Sequence, residues 1–427
     1  MSILFKKTVS VRTGRSMGGK TATFIVASLV GLICLMAQVG YAQGPSAVQS
    51  PNAPRNAAEE AAMAAAIAAY WTPERMAEAA PYPMPRKYVD PAQAAAAGAS
   101  MPPGPPGARP GYNPRDPASS KTSIPVLFDR SVDTAGARSA AASAENGGVA
   151  PASAAYPSAH STEQFQGRYR TWPRSPIGKV FFTQNGGNFV CSASLIGYRH
   201  VVTAGHCLVD GANHWSTNVQ FCPSYDSSQG GVNPAVGCWT TNNVWSATRW
   251  SSYGEADADI GMAIYGDSGT VIADYPGDAV GYLGYSWNWG IGQVERMFGY
   301  PSADRAASAH NEYADFNGGK LFETAAEEAG YTVNWGTFDD SKFIGTTQTP
   351  GMSGGPWIFR MGMKYYNTWN SNWVNGVNSH LRCWDTGCTD LYAEVSSPQF
   401  LAYGNECSCS PCGVVDIMEC VFNSYPR

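Results

Sequence analysis

Between residues 173 and 405 the chain is a succession of short runs rich in Val, Ile, Phe, Tyr, Trp and Thr, each closed by a turn signal, and this spacing limits the possible folds more than any other feature. Val180-Phe181-Phe182-Thr183 followed by Asn185-Gly186-Gly187-Asn188 is one such unit. Short β-branched and aromatic runs bounded by Gly and Asn read as strands joined by tight turns, and a long series of them predicts an all-β fold. The stretch is long enough to bury a substantial core. Tryptophans 239, 245, 250, 287, 289, 335, 357, 369, 373 and 384 could suggest a carbohydrate-stacking surface. Barrel packing is the more economical reading, since buried aromatics far outnumber sugar platforms.

The residues before this stretch have a different composition. Met1 to Lys20 carries Lys6, Lys7, Arg12, Arg15 and Lys20 with no acidic residue, and an apolar run follows from Thr21 to Val39. This is the pattern of an export signal, and Gly40-Tyr41-Ala42 supplies small residues for cleavage after Ala42. The alternative is an uncleaved anchor, because the run approaches spanning length. Residues 43–172 are dominated by alanine, proline and small polar residues. Ala57 to Tyr70, with Glu59 and Glu60 in its first half, predicts a helix. Met101 to Pro117, broken repeatedly by Pro and Gly, predicts a linker. The region reads as a removable propeptide, with a disordered stalk as the alternative. The expected organisation is a signal at 1–42, a propeptide or linker at 43–172, the main domain at 173–405 and a Cys-rich tail at 406–427, in a chain that is secreted or periplasmic.

Eleven cysteines are present, and losing Cys34 with the signal leaves an even set of ten. An even set in an exported chain favours disulfides. Cys191 and Cys207 would staple a strand to the turn that follows it, a loop closure worth roughly 3 kcal/mol. Proximity suggests Cys222 with Cys238 and Cys383 with Cys388. Cys407, Cys409, Cys412 and Cys420 could instead form a metal knuckle, but the tail has no histidine and export favours oxidation. No metal or cofactor is expected.

Three segments carry chemistry. In Gly351-Met352-Ser353-Gly354-Gly355-Pro356 a serine lies in a glycine-rich turn whose Gly351 and Ser353 amides can converge on one point, as a cradle for negative charge. A serine hydroxyl needs an adjacent base to act as a nucleophile. His206, in Val201-Val202-Thr203-Ala204-Gly205-His206-Cys207, stands where a β-branched strand enters a small-residue turn. A carboxylate beside imidazole Nδ1 completes such a set. Asp259 directly precedes the apolar run Ile260 to Ile264 and is the first choice, with Asp257 second.

The order His206, Asp259, Ser353 and the motifs around them resemble the chymotrypsin-like (trypsin-like) serine endopeptidases, over roughly residues 173 to 405. Ser175 to Val180 and Thr349 to Ser353 are similar to the secreted bacterial branch that includes the glutamyl endopeptidases. The resemblance implies two antiparallel six-stranded β-barrels with the active site between them. Peptide hydrolysis would proceed through a Ser-His-Asp triad and an acyl-enzyme, with Gly351 and Ser353 as the oxyanion hole. Met352 replaces the aspartate that pairs with the new amino terminus in trypsin-like zymogens, so that switch is not expected in its usual form. Thr347 stands where trypsin-like enzymes carry an aspartate, which argues against cleavage after Lys or Arg. The resemblance places the substrate pocket at Thr347, Gln348, Asn378 and His380. Asn378 aligns with the pocket histidine of glutamyl endopeptidases, and His380, two residues on, faces the same side of a regular strand. Glutamate preference and a preference for small or apolar residues both remain open.

The acidic group Glu255, Asp257, Asp259 lacks the ligand spacing of a calcium loop. His200, His214 and His310 read as surface or packing residues. A formal charge of −5 with no basic cluster after the signal argues against nucleic-acid binding. The expected partners are protein or peptide substrates, with transient membrane contact through the export signal and a monomeric state. The alternative function is a non-catalytic, protease-like binding module. That reading requires the loss of a triad residue, and none is lost.

Overall fold

In the computed structural model the described residues are 47–88, 104–114, 161–163, 169–266, 273–290, 292–302, 316–333, 341–362, 371–383, 394–402 and 413–426. The expected signal at 1–42, together with His310, Cys388, Cys407, Cys409 and Cys412, lies outside them.

Ahead of the main domain come β1 (Ala47–Gln49), α1 (Ala57–Tyr70), α2 (Pro73–Glu78), β2 (Ala80–Pro81), β3 (Arg86–Tyr88), β4 (Gly107–Arg109) and β5 (Ser161–Glu163). The first half of the domain contributes β6 (Ile177–Gln184), β7 (Gly187–Leu195), β8 (His200–Thr203), β9 (Thr217–Pro223), β10 (Trp239–Thr241), β11 (Val244–Ala247), the short helix α3 (Thr248–Tyr253) and β12 (Gly261–Ile264). The second half contributes β13 (Gly284–Trp287), β14 (Val294–Gly299), β15 (Phe322–Glu327), β16 (Ala329–Val333), β17 (Ser341–Gly345), β18 (Pro356–Phe359), β19 (Trp373–Val377), β20 (His380–Cys383) and β21 (Glu394–Pro398), and α4 (Val414–Ser424) follows.

The first sheet runs β1-β11-β12-β8-β7-β6-β9-β10, with β2 added against β7. Its own strands, β6 to β12, pair antiparallel throughout. The second half is divided between the sheets β4-β13-β19-β18-β14-β15-β5 and β16-β17-β21-β20-β3. This is the all-β, two-barrel architecture that the strand pattern and the resemblance imply. Among the described residues the first sheet has nine strands where six are expected, seven of its own, β6 to β12, and two, β1 and β2, added by the N-terminal segment.

Local chemistry explains the main hairpin. Asn185 and Gly186 join β6 to β7 with φ of 50° and 80°, and Gln184 pairs with Gly187, which is the two-residue turn that Asn-Gly favours. Along β6 and β7 alternate residues then enter different cores. Val180, Phe182, Cys191, Ala193 and Leu195 fill the interior of the first barrel. Ile177, Phe181 and Val190 face outward into a second core. That outer core also receives Phe298 and Tyr300 from the second barrel, Ile67, Trp71 and Met76 from the N-terminal helices, and Val414, Ile417 and Met418 from α4. Because both faces are covered, β6 is buried almost without interruption, Lys179 and Gln184 included.

The N-terminal segment is packed on the domain. Asn56 caps α1 by accepting from the Glu59 amide at 3.0 Å, and Glu59 and Glu60 occupy its first turn. Of α1's own residues only Ile67 is buried. Polar contacts add to its hold on the barrel: Tyr70 hydroxyl donates to Asn188 Oδ1 at 2.8 Å, and Thr240 hydroxyl donates to Ala64 O at 3.0 Å. Thr72 caps α2 with Pro73 at its first position.

Cys191–Cys207 and Cys222–Cys238 are disulfides. Cys420 is disulfide-bonded as well. The Cys383–Cys388 pair involves a residue outside those described.

Candidate active site

His206 sits in the single turn Gly205–Cys207 that follows β8, and Asp259 closes the turn Ala256–Ala258 that precedes β12. Strand register brings them together. Gly261 pairs with Thr203 in the antiparallel β8–β12 ladder, so two residues before the one and three after the other are face to face. Asp259 Oδ1 accepts the His206 backbone N–H at 2.7 Å, and Oδ2 lies 2.8 Å from His206 Nδ1. A third bond comes from the second barrel, where Ser379 hydroxyl donates to Oδ2 at 2.6 Å. Asp259 is fully buried. Burial pushes its pKa up, but His206, His380 and Ser379 outweigh this and hold the carboxyl below its ordinary range.

Asp257, the second choice, has another partner. Its Oδ2 accepts from Arg249 at 2.9 Å, and Glu255 accepts from the same guanidinium at 2.5 Å. The acidic group is thus divided between an arginine clamp and the histidine. Cys191, His206 and Cys207 are the one cluster of metal-ligand residue types among the described residues, and both cysteines are in a disulfide, leaving no thiolate to bind an ion.

Ser353 lies at the seam of the barrels. Its carbonyl accepts the Ser192 N–H at 2.7 Å, and the Gly354 N–H donates to Asn378 O at 2.7 Å. Gly354 has φ of 76°, and a Cβ there would stand 1.8 Å from Thr203 Oγ1. Only glycine lets the serine turn close on the strand that leads to His206. The amides of Met352, Gly354 and Gly355 are used within the fold, whereas those of Gly351 and Ser353 have no acceptor among the described residues. Ser353 Oγ and His206 Nε2 are likewise buried without a hydrogen-bond partner there. Two unspent donors, a hydroxyl and an imidazole nitrogen are therefore kept from water together, an arrangement suited to acyl transfer.

The expected pocket residues divide. Asn378 donates to Phe298 O and Met352 O, each at 2.9 Å, and accepts from Trp357 Nε1 at 2.7 Å, so its side chain ties the serine turn to the second barrel. Gln348 donates to Thr324 Oγ1 at 3.1 Å. Thr347 is buried. β19 ends at Val377 and β20 begins at His380, so regular alternation does not carry from Asn378 to His380. His380 Nδ1 instead contacts Ser379 Oγ and lies 3.5 Å from Asp259 Oδ2. Met352 packs with Met84, Met297, Ile344, Trp357 and Val395, an apolar setting. The bond from Ser379 to Asp259 was not anticipated, since Asn375 to His380 reads in sequence only as a strand near the pocket.

Residues 170–262, which contain the His206 and Asp259 turns, match the Trypsin family. The chain is a serine-type endopeptidase, and this segment is what is similar to the Trypsin family. Solved structures similar to the protease include the protease Anisep from Arthrobacter nicotinovorans, at 29% identity over 53% of this chain and 90% of that one, with a TM-score of 0.41. The thermostable serine protease AL20 from an extremophilic microorganism is also 29% identical, over 53% and 92% of the two chains, with a TM-score of 0.41. A Glu endopeptidase shares 14% identity over 62% of the protease and 97% of its own chain, with a TM-score of 0.40. No curated protein matches the sequence of the protease at a significant level.

Proposed function

We propose that the protease hydrolyses peptide bonds through Ser353, His206 and Asp259. His206 Nε2 takes the Ser353 hydroxyl proton as Oγ attacks the peptide carbonyl carbon. The tetrahedral oxyanion accepts from the Gly351 and Ser353 amides, each such donor contributing about 3 kcal/mol. The carbonyl re-forms, the C–N bond breaks, and His206 returns its proton to the departing amine. Water, deprotonated by His206, then releases the acid from the acyl-enzyme. Asp259 fixes the imidazole tautomer and stabilises the imidazolium. The observation that carries the reading is the 2.8 Å contact from Asp259 to His206 Nδ1, with Nε2 left unpartnered on the other side of the ring.

The reading extends to location and specificity. An exported chain with residues 1–42 as its signal fits the disulfides at Cys191, Cys207, Cys222, Cys238 and Cys420, which need an oxidising compartment. With Thr347 in place of an acid, cleavage after Lys or Arg is disfavoured. Glutamate preference would require His380 to offer its ring to the pocket, whereas Nδ1 is turned to Ser379. An apolar preference fits better.

The test is the cleavage profile of the purified, processed chain on an unbiased peptide library. Cleavage that Ser353→Ala abolishes supports the mechanism. A correctly processed chain that cuts nothing would leave a protease-like binding module as the function.

A further inference from the structure

The chain from Ala80 to Tyr88 crosses the candidate active site from one barrel to the other. At one end β2 pairs with β7, Ala80 with Phe189 and Pro81 with Val190, and the Tyr82 N–H donates to Val190 O at 3.0 Å. At the other end β3 pairs with β20, Arg86 with Leu381, and the Leu381 N–H donates to Pro85 O at 2.9 Å. β7 belongs to the first barrel and β20 follows directly on Ser379, so the segment spans the seam that holds Ser353.

Its side chains meet the reacting groups. The Tyr82 ring stacks on His206 with centroids 5.8 Å apart and planes 22° from parallel. Pro81 Cβ lies 3.6 Å from the point where a Cβ on Gly351 would stand. Met84 is 5% exposed and fills an apolar recess formed by Met297, Ile344, Met352, Trp357 and Val395. Under this cover His206 is 1% exposed and Ser353 is not exposed at all, conditions in which no peptide can reach them. Between the segment and the first barrel lies an open cleft of about 320 Å³, walled in part by Tyr82, Pro83, Phe189, His206 and Trp250.

The segment occupies the site without engaging its chemistry, since neither Ser353 Oγ nor His206 Nε2 has a hydrogen-bond partner in it. Proline at 81, 83 and 85 fixes φ and removes three N–H donors, which holds the strap extended and limits its ladder to a few bonds. Parallel pairing over two or three residues at each end is weak enough to be released.

We infer that Ala80–Tyr88 is a resident inhibitor of this chain's own active site, anchored by Met84 in the recess that receives the substrate's side chain. The recess accordingly selects an apolar residue that is not branched at Cβ. This rests on Ser353 and His206 being the reacting pair. It places the inhibitory contact of the N-terminal region in nine residues, and it accounts for a zymogen that has Met352 where an ion-pairing aspartate would stand.

The test uses the full chain. Labelling of Ser353 by a fluorophosphonate probe is timed for the unprocessed protein, for Met84→Asp, for Tyr82→Ala and for the processed enzyme, with Ser353→Ala as the blank. The inference expects the processed enzyme and Met84→Asp to label at least tenfold faster than the unprocessed chain, with Tyr82→Ala between. A synthetic peptide of residues 78–90 should inhibit the processed enzyme in competition with substrate, and its Met84→Asp version should not. On a peptide library, cleavage should favour Met and Leu. Equal labelling of unprocessed and processed chains overturns the inhibitor while leaving the protease reading intact, as does a peptide that fails to inhibit. Labelling of none of them overturns both.

Discussion

Ser379 hydroxyl donates to Asp259 Oδ2 at 2.6 Å, the same oxygen that holds His206 Nδ1 at 2.8 Å. The histidine and its carboxylate belong to the first barrel and the serine to the second. Their bond couples the docking of the two barrels to the position of the histidine.

Ser379→Ala removes a hydrogen bond to a buried charge, a loss of about 1.5–3 kcal/mol at most. The expected result is a fall in kcat/KM of roughly tenfold or more with KM little changed. The pH at which activity fails on the acid side should rise, because Asp259 loses a group that lowers its pKa. Kinetics on one peptide from pH 4 to 9 would test this, and an unchanged profile would count against a positioning role.

Asp259→Asn keeps an acceptor for the His206 N–H but turns an NH₂ toward Nδ1. The imidazole would then carry its proton on Nε2, the nitrogen that accepts from Ser353 in the proposed mechanism. By analogy with the same change in other triads, kcat should fall by about 10⁴ while the near-UV circular dichroism is preserved. Asp257→Asn disturbs only the Arg249 clamp and should cost far less activity.

Two histidines should make the fold acid-sensitive. Burial, with Arg199 adding to it, pushes His200 down to about 3, and burial pushes His380 down to about 4. Depressed histidine pKa values give stability that is present above about pH 6.5 and is lost as pH falls toward the folded values. Around pH 5 the unfolded chain binds nearly two protons that the folded chain does not, a slope approaching about 2.7 kcal/mol per pH unit. His200→Phe should roughly halve that slope. Among the described residues the only hydrogen-bonding group near the His200 ring is the Tyr425 backbone, at poor geometry, and the ring stacks on Phe422 at 4.0 Å, so the substitution should also stabilise the protein at pH 7. Urea midpoints at pH 7, 6 and 5 read both effects.

Cys191→Ala with Cys207→Ala removes a bridge closing a loop of 16 residues, worth about 3 kcal/mol. The urea midpoint should drop accordingly. Because Cys207 adjoins His206, activity in the double variant should fall before the global transition, detectable as inactivation at urea concentrations that leave tryptophan fluorescence unchanged.

Much of this molecule is written in short-range chemistry. The β6–β7 hairpin follows from Asn185-Gly186 and its flanking apolar runs, and α1 from alanine content and the Asn56 cap. The Cys191–Cys207 and Cys222–Cys238 bridges follow from nearness in sequence. The residue types at His206 and Ser353 are legible for the same reason, since a turn's glycines act within a few residues of themselves. Other features depended on distant segments meeting. Asp259 faces His206, and Asp257 does not, because the β8–β12 register sets which carboxylate lies opposite the turn. Ser379 reaches Asp259 across 120 residues of sequence, and its own neighbours carry no sign of that contact. The composition of residues 80–88 gives Pro-Tyr-Pro-Met-Pro and an extended backbone, yet the cleft it enters is built by strands a hundred to three hundred residues later. Local propensity shaped the pieces, while register and barrel docking decided which of them met at the serine.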